Sequence, residues 1–164
     1  MDLVKIRKGI HALGSTEIDN SRPPAVAMHP YYIAHKPAHY SGYLARLEEF
    51  LRSYDGPLVT FEEVTKIHST AERLDRLKRS SFFLETRVMD SEPKHPLNWE
   101  EVFEFLRKFG GGTVRILSGY YSESRFDGCL TALEAQLRDN NFTTEVLGEL
   151  FFVESRVNFK YYPF

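Results

Sequence analysis

The amino-acid sequence predicts an α/β protein, a three-layer α/β/α sandwich around a mainly parallel sheet of five or six strands. Two observations predict this class. Strand-like runs and segments of helical periodicity alternate through four rounds, which is typical of parallel strands joined by helices that cover both faces of a sheet. The last two strand-like runs follow each other without a helix, which predicts an antiparallel edge at the C-terminal end. The length of 164 residues fits a single domain.

Six short runs rich in apolar, β-branched or aromatic residues are the predicted strands. The first run ends at His29-Pro30, because proline ends regular structure there. The last run alternates apolar and polar side chains, as a half-buried strand does. The predicted strands are residues 24–28, 58–63, 81–88, 113–118, 142–154 and 156–164.

Four segments whose apolar residues recur at intervals of three and four are the predicted helices. Ser69 with Glu72 and Asn98 with Glu101 have the spacing of capping boxes, and Asp127 is expected to cap the last helix. Three consecutive glycines end the third helix, since glycine tolerates the left-handed conformation found at helix ends. The predicted helices are residues 40–54, 71–80, 99–109 and 128–140.

Residues 1–22 are predicted to be an irregular N-terminal extension of the domain. Their second half is rich in Gly, Ser, Asn and Pro, which favour loops. The stretch Leu-Val-Lys-Ile-Arg at 3–7 also has the pattern of a strand, so the two interpretations of this stretch remain open.

The charge and cysteine content exclude several function classes. A net charge of −2 is too close to zero for bulk attraction to nucleic acid or to an anionic membrane. No apolar run approaches the about 20 residues that span a bilayer, and the N-terminal residues lack the apolar core of a secretory signal. The single cysteine, Cys129, allows no internal disulfide framework. We therefore expect a cytoplasmic protein with neither a nucleic-acid nor a membrane partner.

The loops at the two edges of the predicted sheet differ in composition. Those that follow strands are rich in polar and aromatic residues, whereas those that follow helices are plain turns such as Asp55-Gly56-Pro57. Ligands of open α/β sheets bind at the carboxyl ends of the strands, so this asymmetry predicts a small-molecule ligand at that edge. The loops concerned are residues 29–40, 62–69, 87–97 and 119–127.

The loop after the first predicted strand allows three hypotheses. His29, His35 and His39 are potential metal ligands, His29 alone is a potential catalytic base because it ends a central strand, or the loop is structural. Pro37 lies between His35 and His39 and disfavours the regular helix that would place both on one face. We therefore assign no metal site, and take His29 as a candidate catalytic residue and Tyr31 as a candidate ligand-binding residue.

Carboxylates follow the second and third predicted strands. Glu62 and Glu63 end the second strand, and Glu85 lies near the end of the third. Successive strand residues point to opposite faces, so one of Glu62 and Glu63 faces a cleft, and Glu62 is the candidate ligand-binding residue. The alternative is solvated loop charge paired with Arg87 or Lys94.

The loop that precedes the last predicted helix combines several candidate features. Gly119 allows close backbone approach, and the helix start offers free amides to an anion, although Asp127 would repel one. Cys129 near that helix start is a candidate nucleophile, or else a buried cysteine that behaves as a small apolar residue. Tyr120 is a candidate ligand-binding residue. The loop has neither the P-loop nor the nucleophile-elbow pattern.

The segment "GYYSESRFDGCLTAL", with the size and the strand–helix alternation, resembles isochorismatase-like cysteine hydrolases. The resemblance implies an Asp after the first strand, a Lys after a middle strand and a Cys that opens a later helix. Lys94 and Cys129 stand at two of these places, whereas His29 stands where the Asp is expected. The Asp-Met-Gln-like stretch and the glycine pattern before the family's cysteine are absent. The resemblance is one of topology, which does not imply function.

Two hypotheses for the function follow. The first is a small-molecule hydrolase in which His29 is the base or a ligand, Lys94 stabilises developing negative charge, and Cys129 or an activated water is the nucleophile. The second is a non-catalytic domain that binds a ligand or a protein, or forms a homo-oligomer, through its aromatic loops and C-terminal strand. The sequence names no cofactor for either.

Overall fold

A seven-stranded mixed sheet forms the centre of the molecule, and a second sheet has three strands. The computed structural model describes residues 1–14, 19–31, 37–86, 97–121, 129–147, 150, 152–154 and 159–160. The strands are β1 (Leu3–Arg7), β2 (Ile10–Leu13), β3 (Ala25–Met28), β4 (Leu58–Glu63), β5 (Ser81–Thr86), β6 (Thr113–Leu117), β7 (Tyr120–Tyr121), β8 (Thr143–Val146), β9 (Phe152–Glu154) and β10 (Phe159–Lys160). The helices are α1 (Pro37–Ser53), α2 (Ile67–Arg76), α3 (Trp99–Leu106) and α4 (Cys129–Asp139).

The strand order of the large sheet is β1-β2-β5-β4-β3-β6-β8. The five strands from β5 to β8 in this order are mutually parallel. Strand β3 is the middle one of these five parallel strands. From β3 the chain first proceeds outward through β4 to β5, and then returns to the other side of β3 for β6 and β8. The direction of winding therefore reverses between β3 and β6.

Two apolar clusters, one on each face of the large sheet, hold the helices. Helices α1 and α2 pack through residues such as Leu47 and Leu74 onto Ala25, Ala27 and Phe83. Helices α3 and α4 pack onto the opposite face. Residues along each strand alternate between the two faces, because successive strand residues point to opposite sides. The predicted α/β class, with a mainly parallel sheet covered on both faces, is confirmed.

The antiparallel edge of the large sheet lies at its N-terminal end. Strands β1 and β2 form an antiparallel hairpin, and β2 pairs antiparallel with β5. Residues 3–7 and 10–13 are thus regular strands, so the strand interpretation of residues 3–7 is confirmed, and the prediction of an irregular extension was wrong for residues 10–13. They raise the strand number of this sheet to seven, above the five or six predicted.

The two C-terminal runs pair antiparallel, but not at the edge of the large sheet. The run predicted as one strand over 142–154 is broken by a turn, in which Leu150 N–H donates to Leu147 C=O. Strand β8 before the turn joins the large sheet parallel to β6. Strand β9 after the turn pairs with β10 and with β7 in the three-stranded sheet.

One of the predicted capping boxes is present and the other is not. Asn98 accepts from the backbone N–H of Glu101 at 2.9 Å, and Glu101 accepts from the backbone N–H of Asn98 at 3.0 Å. Helix α2 starts at Ile67, earlier than predicted, so Ser69 lies in its first turn and donates to the carbonyl of Lys66 instead. A tight turn after β4 accounts for the early start, because Lys66 N–H donates to Glu63 C=O. Asp127 lies outside the described residues.

Among the described residues, no helix combines the length and the apolar character needed to cross a membrane.

Candidate active site at the ends of β3, β4 and β6

The ends of β3 and β6 are neighbours at the point where the winding of the sheet reverses. Loops that leave two adjacent parallel strands in opposite directions open a crevice between them, which is the usual ligand-binding position in such sheets. His29 directly follows β3, and Ser118 directly follows β6. His29 lies on a loop that the sequence predicted to bear the site, whereas Ser118 ends the predicted strand that precedes another such loop.

His29 and Ser118 share an uncommon backbone conformation. Their φ angles are 46° and 58°, in the left-handed region that few residues other than glycine adopt. The backbone N–H of His29 still donates to Phe61 C=O, and the Ser118 hydroxyl donates to Met28 C=O at 2.9 Å. These bonds tie the end of β3 to β4 on one side and to the end of β6 on the other, and they hold the strained conformation. Such strain concentrates at functional sites, where the surrounding structure maintains it.

The imidazole of His29 is bonded to the carboxylate of Glu62. Nδ1 of His29 lies 2.9 Å from Oε1 of Glu62, and both residues are buried, at 5% and 2% exposure. An ionised carboxylate only accepts hydrogen bonds, so Nδ1 carries the hydrogen and donates it. Glu62 therefore orients the ring and fixes its tautomer, as the carboxylate partner of a catalytic histidine does.

The other ring nitrogen of His29 has no hydrogen-bond partner among the described residues. Nε2 is fully shielded by protein atoms and is not bonded to any of them. A buried polar atom without a partner is uncommon and costs free energy, so it calls for an explanation. In the neutral ring this nitrogen is the one with the lone pair. It is therefore placed to accept a proton or a hydrogen bond from a molecule that enters the site.

A second pair of the same type stands two strands away. His11 Nε2 lies 2.6 Å from Glu85 Oε1, and both side chains are partly exposed. Glu85 is the register partner of Glu62 on the neighbouring parallel strand, so the two carboxylates emerge on the same face of the sheet. Sequence reasoning missed His11 as a candidate, because it lies in the segment predicted to be irregular. The alternation of the apolar residues Ile10 and Ala12 with the polar His11 was the signal that could have predicted a strand here.

Cys129 lies on the other face of the sheet from the His29–Glu62 pair. It starts α4, is half-buried and packs against the apolar cluster beneath α3 and α4. A methyl group placed on Gly119 would lie 3.1 Å from the Cys129 sulfur and 2.9 Å from Cβ of Met28. Only glycine allows this approach, and its φ of 86° also favours glycine. Cys129 is thus at the predicted edge of the sheet, but on the α3–α4 side.

Tyr31 is buried beneath the α1–α2 layer, with the guanidinium of Arg73 4.9 Å above its ring. Burial, reinforced by the charge of Glu48, raises the pKa of the Tyr31 phenol far above its usual value, so the phenol stays protonated. Its hydroxyl has no hydrogen-bond partner among the residues that the structure describes. The prediction that Tyr31 contacts a ligand is untested.

The structure describes the remaining predicted site residues only in part. Lys94 and His35 lie outside the described residues. The backbone of Tyr120 is in β7, and that of His39 is in α1, which starts at Pro37. In the described part of the chain, no group of three His, Cys, Asp or Glu side chains is arranged to hold a metal ion.

The chain matches no family model, and no curated protein or solved structure is significantly similar to it. The resemblance to cysteine hydrolases therefore has no family match in its support.

Proposed function

We propose that this chain is a small-molecule hydrolase in which His29 is the general base, oriented by Glu62 at the carboxyl edge of the sheet. One observation carries the proposal. His29 has one ring nitrogen fixed by a buried carboxylate and the other buried without a partner among the described residues. A base needs this division, because one nitrogen sets the tautomer and the other takes the proton.

The proposed reaction uses water as the nucleophile. His29 Nε2 takes a proton from a water molecule while the water oxygen forms a bond to the acyl carbon of an ester- or amide-like substrate. The bond from that carbon to its leaving group then breaks, and the proton passes from Nε2 to the leaving group. Atoms and charges balance, and the histidine is regenerated neutral.

Water suits the geometry better than Cys129 does as the nucleophile. The His29–Glu62 pair faces the α1–α2 layer, whereas Cys129 packs in the α3–α4 layer. Stabilisation of negative charge by Lys94 and substrate contacts by Tyr31 and Tyr120 remain part of the proposal. The cytoplasmic location also remains a proposal, and it rests on the single cysteine.

The experiment is a screen for hydrolysis of chromogenic acyl esters and anilides with matched histidine variants. His29→Gln removes the proposed base, and His68→Gln is the control because His68 is 71% exposed on α2. The wild-type protein and His68→Gln are expected to turn over the same substrates. His29→Gln is expected to be slower by about 10²- to 10⁴-fold, the usual contribution of a positioned base. Equal rates for all three proteins, or no hydrolysis of any substrate, would overturn the proposal.

A second proposal, association of two copies through the C-terminal strand, rests on the position of β10. This strand is at the edge of the three-stranded sheet, and edge strands offer backbone groups for pairing. Light scattering at micromolar concentration would show a dimer, and the substitution Phe159→Pro would convert it to a monomer. A monomeric wild-type protein would exclude this proposal and leave the hydrolase proposal unaffected.

A further inference from the structure

Glu62, the partner of His29, is itself held by three donors. Oε1 accepts from His29 Nδ1 and, at 3.1 Å, from the backbone N–H of Glu63. Oε2 accepts from the hydroxyl of Thr70 at 2.8 Å. Each carboxylate oxygen therefore has a fixed donor, and the plane of the carboxyl group is determined from both sides.

The placement of Thr70 follows from how α2 packs. Ile67, Ala71 and Leu74 form the buried face of this helix, and Thr70 lies within that face at 3% exposure. The turn between β4 and α2 has only three residues, so the first turn of the helix stands directly over the end of the strand. An apolar side chain would be usual at this position. Within the described part of the chain, the hydroxyl of Thr70 makes one hydrogen bond, to Glu62.

The terminal torsion of a glutamate side chain has a broad energy profile, so an isolated carboxylate rotates readily. A donor on Oε2 removes that freedom and directs Oε1 at His29. We propose that Thr70 is the positioning residue of the site: its hydroxyl holds Glu62 in the one orientation that keeps the hydrogen of His29 on Nδ1 and the lone pair on Nε2. This inference rests on the proposed function, because it concerns the same histidine.

Thr70→Val tests the inference, because valine keeps the shape of threonine and removes only the hydroxyl. Thr60→Val is a matched control on β4, two residues from Glu62 and on the same face of the sheet. The Thr60 hydroxyl is hydrogen-bonded to Oγ of Ser81. The Ser81 hydroxyl donates to the carbonyls of Leu58 and Phe82. Both variants thus lose one buried hydroxyl, and only Thr70→Val affects the carboxylate of Glu62.

The measurement is the tautomer of the His29 ring in the protein alone, from long-range proton–nitrogen correlation spectra. The spectra are recorded at about pH 8.5, well above the ordinary histidine pKa of about 6.5. His29→Gln assigns the signal. The wild-type protein and Thr60→Val are expected to carry the hydrogen on Nδ1. In Thr70→Val the ratio of the Nδ1–H to the Nε2–H form is expected to fall by about tenfold, as for loss of a hydrogen bond to a charged group.

Thr70→Ser restores a hydroxyl at the same position and is expected to restore the wild-type ratio. If Thr70→Val does not fold, Thr70→Ala makes the same comparison without added bulk. A Thr70→Val protein with the wild-type ratio, or an equal change in Thr60→Val, would overturn the positioning role.

Turnover separates this inference from the function on which it rests. With a substrate from the ester screen, Thr70→Val is expected to lower kcat by roughly tenfold, a fraction of what the base contributes, with KM unchanged. A changed tautomer in Thr70→Val together with full activity of His29→Gln would leave the positioning role standing and overturn the hydrolase. Loss of activity in His29→Gln with a wild-type tautomer in Thr70→Val would do the reverse.

Discussion

The molecule contains two histidine–glutamate pairs on one face of its sheet, and they differ in burial and in support. In the pair of His29 with Glu62 the side chains are 6% and 3% exposed, whereas in the pair of His11 with Glu85 they are 18% and 14% exposed. Glu62 accepts further hydrogen bonds from Thr70 and from the backbone of Glu63. His29 also has a left-handed backbone, and His11 lies within a regular strand.

The same two side chains thus have different surroundings, and only those of the inner pair fit the proposed role of a base and its orienting carboxylate. A buried carboxylate is stable only when hydrogen bonds satisfy its oxygens, because its desolvation is otherwise costly. Glu62 is satisfied in this way, yet Nε2 of His29 is not bonded within the described residues. Of the two pairs, the inner one thus has a buried nitrogen without a partner, which fits the proposed role of His29 as a base. The outer pair links β2 to β5.

The largest expected difference between the pairs is in stability. Glu62→Ala leaves the Nδ1 hydrogen of His29, the hydroxyl of Thr70 and a backbone N–H without their acceptor in a buried region. We expect it to lower the free energy of unfolding by about 3 kcal/mol, because each buried donor left without its acceptor costs roughly 1–3 kcal/mol. Glu85→Ala removes a partly solvated partner, and we expect a loss of about 1 kcal/mol. Urea denaturation at equal protein concentration measures both.

The unfolding slope with urea is the control, because an unchanged slope shows that both variants unfold from the same compact state. Equal losses for the two variants would mean that burial does not distinguish the pairs.

The second difference concerns turnover, and it depends on the proposed function. His29→Gln is expected to lower kcat/KM by at least about 10²-fold, since it removes the base. His11→Gln removes a histidine of the same kind three strands away and is expected to change kcat/KM by less than about threefold, because its effect is on packing at the sheet edge. Steady-state rates on one ester substrate measure both, and similar losses would assign the outer pair to the active site as well.

The periodicity of the chain was sufficient to predict the parallel core of the fold. The predicted limits of β4 match the structure, and the capping box of Asn98 fixes the start of α3 as expected. A strand over residues 3–7 was one of two interpretations left open, whereas β2 was not predicted, because it has only four residues. The run over 142–154 was taken as one strand, whereas the turn in which Leu150 N–H donates to Leu147 C=O divides it between two sheets.

The candidate site could be located from the sequence but not assembled. Topology places His29 and Glu62 at one edge, since both follow parallel strands. Their pairing depends on side-chain direction: His29 leaves the strand with a positive φ, which no residue pattern indicates for histidine. Thr70 was hidden by the wrong start of α2, which placed it outside the helix. Cys129 shares the edge, yet lies on the opposite face, and strand order alone does not resolve faces.

The third difference is in chemical reactivity toward diethyl pyrocarbonate, which modifies accessible imidazole nitrogens. His68, which is 71% exposed, is expected to react fastest, His11 next and His29 slowest. A buried ring reacts only after local opening, so we expect His29 to be slower than His68 by at least about tenfold. Mass spectrometry of digested samples over time gives the three rates. A rate for His29 equal to that of His68 would show that the inner pair is open in solution.

The smallest expected difference is in the response to salt. His11 and Glu85 are partly solvated, so mobile ions reach the pair, whereas the inner pair is shielded by protein on all sides. At about 1 M salt the screening length is roughly 3 Å, comparable to the 2.6 Å between Nε2 of His11 and Oε1 of Glu85. The stability lost in Glu85→Gln is therefore expected to shrink by about 0.5 kcal/mol between low and high salt. The loss in Glu62→Gln should stay constant, because no ion enters between His29 and Glu62. Urea denaturation of each variant against the wild-type protein at the two salt concentrations measures this. A salt-dependent loss in Glu62→Gln would show that mobile ions reach the inner pair, and the two pairs would then not differ in their shielding from ions.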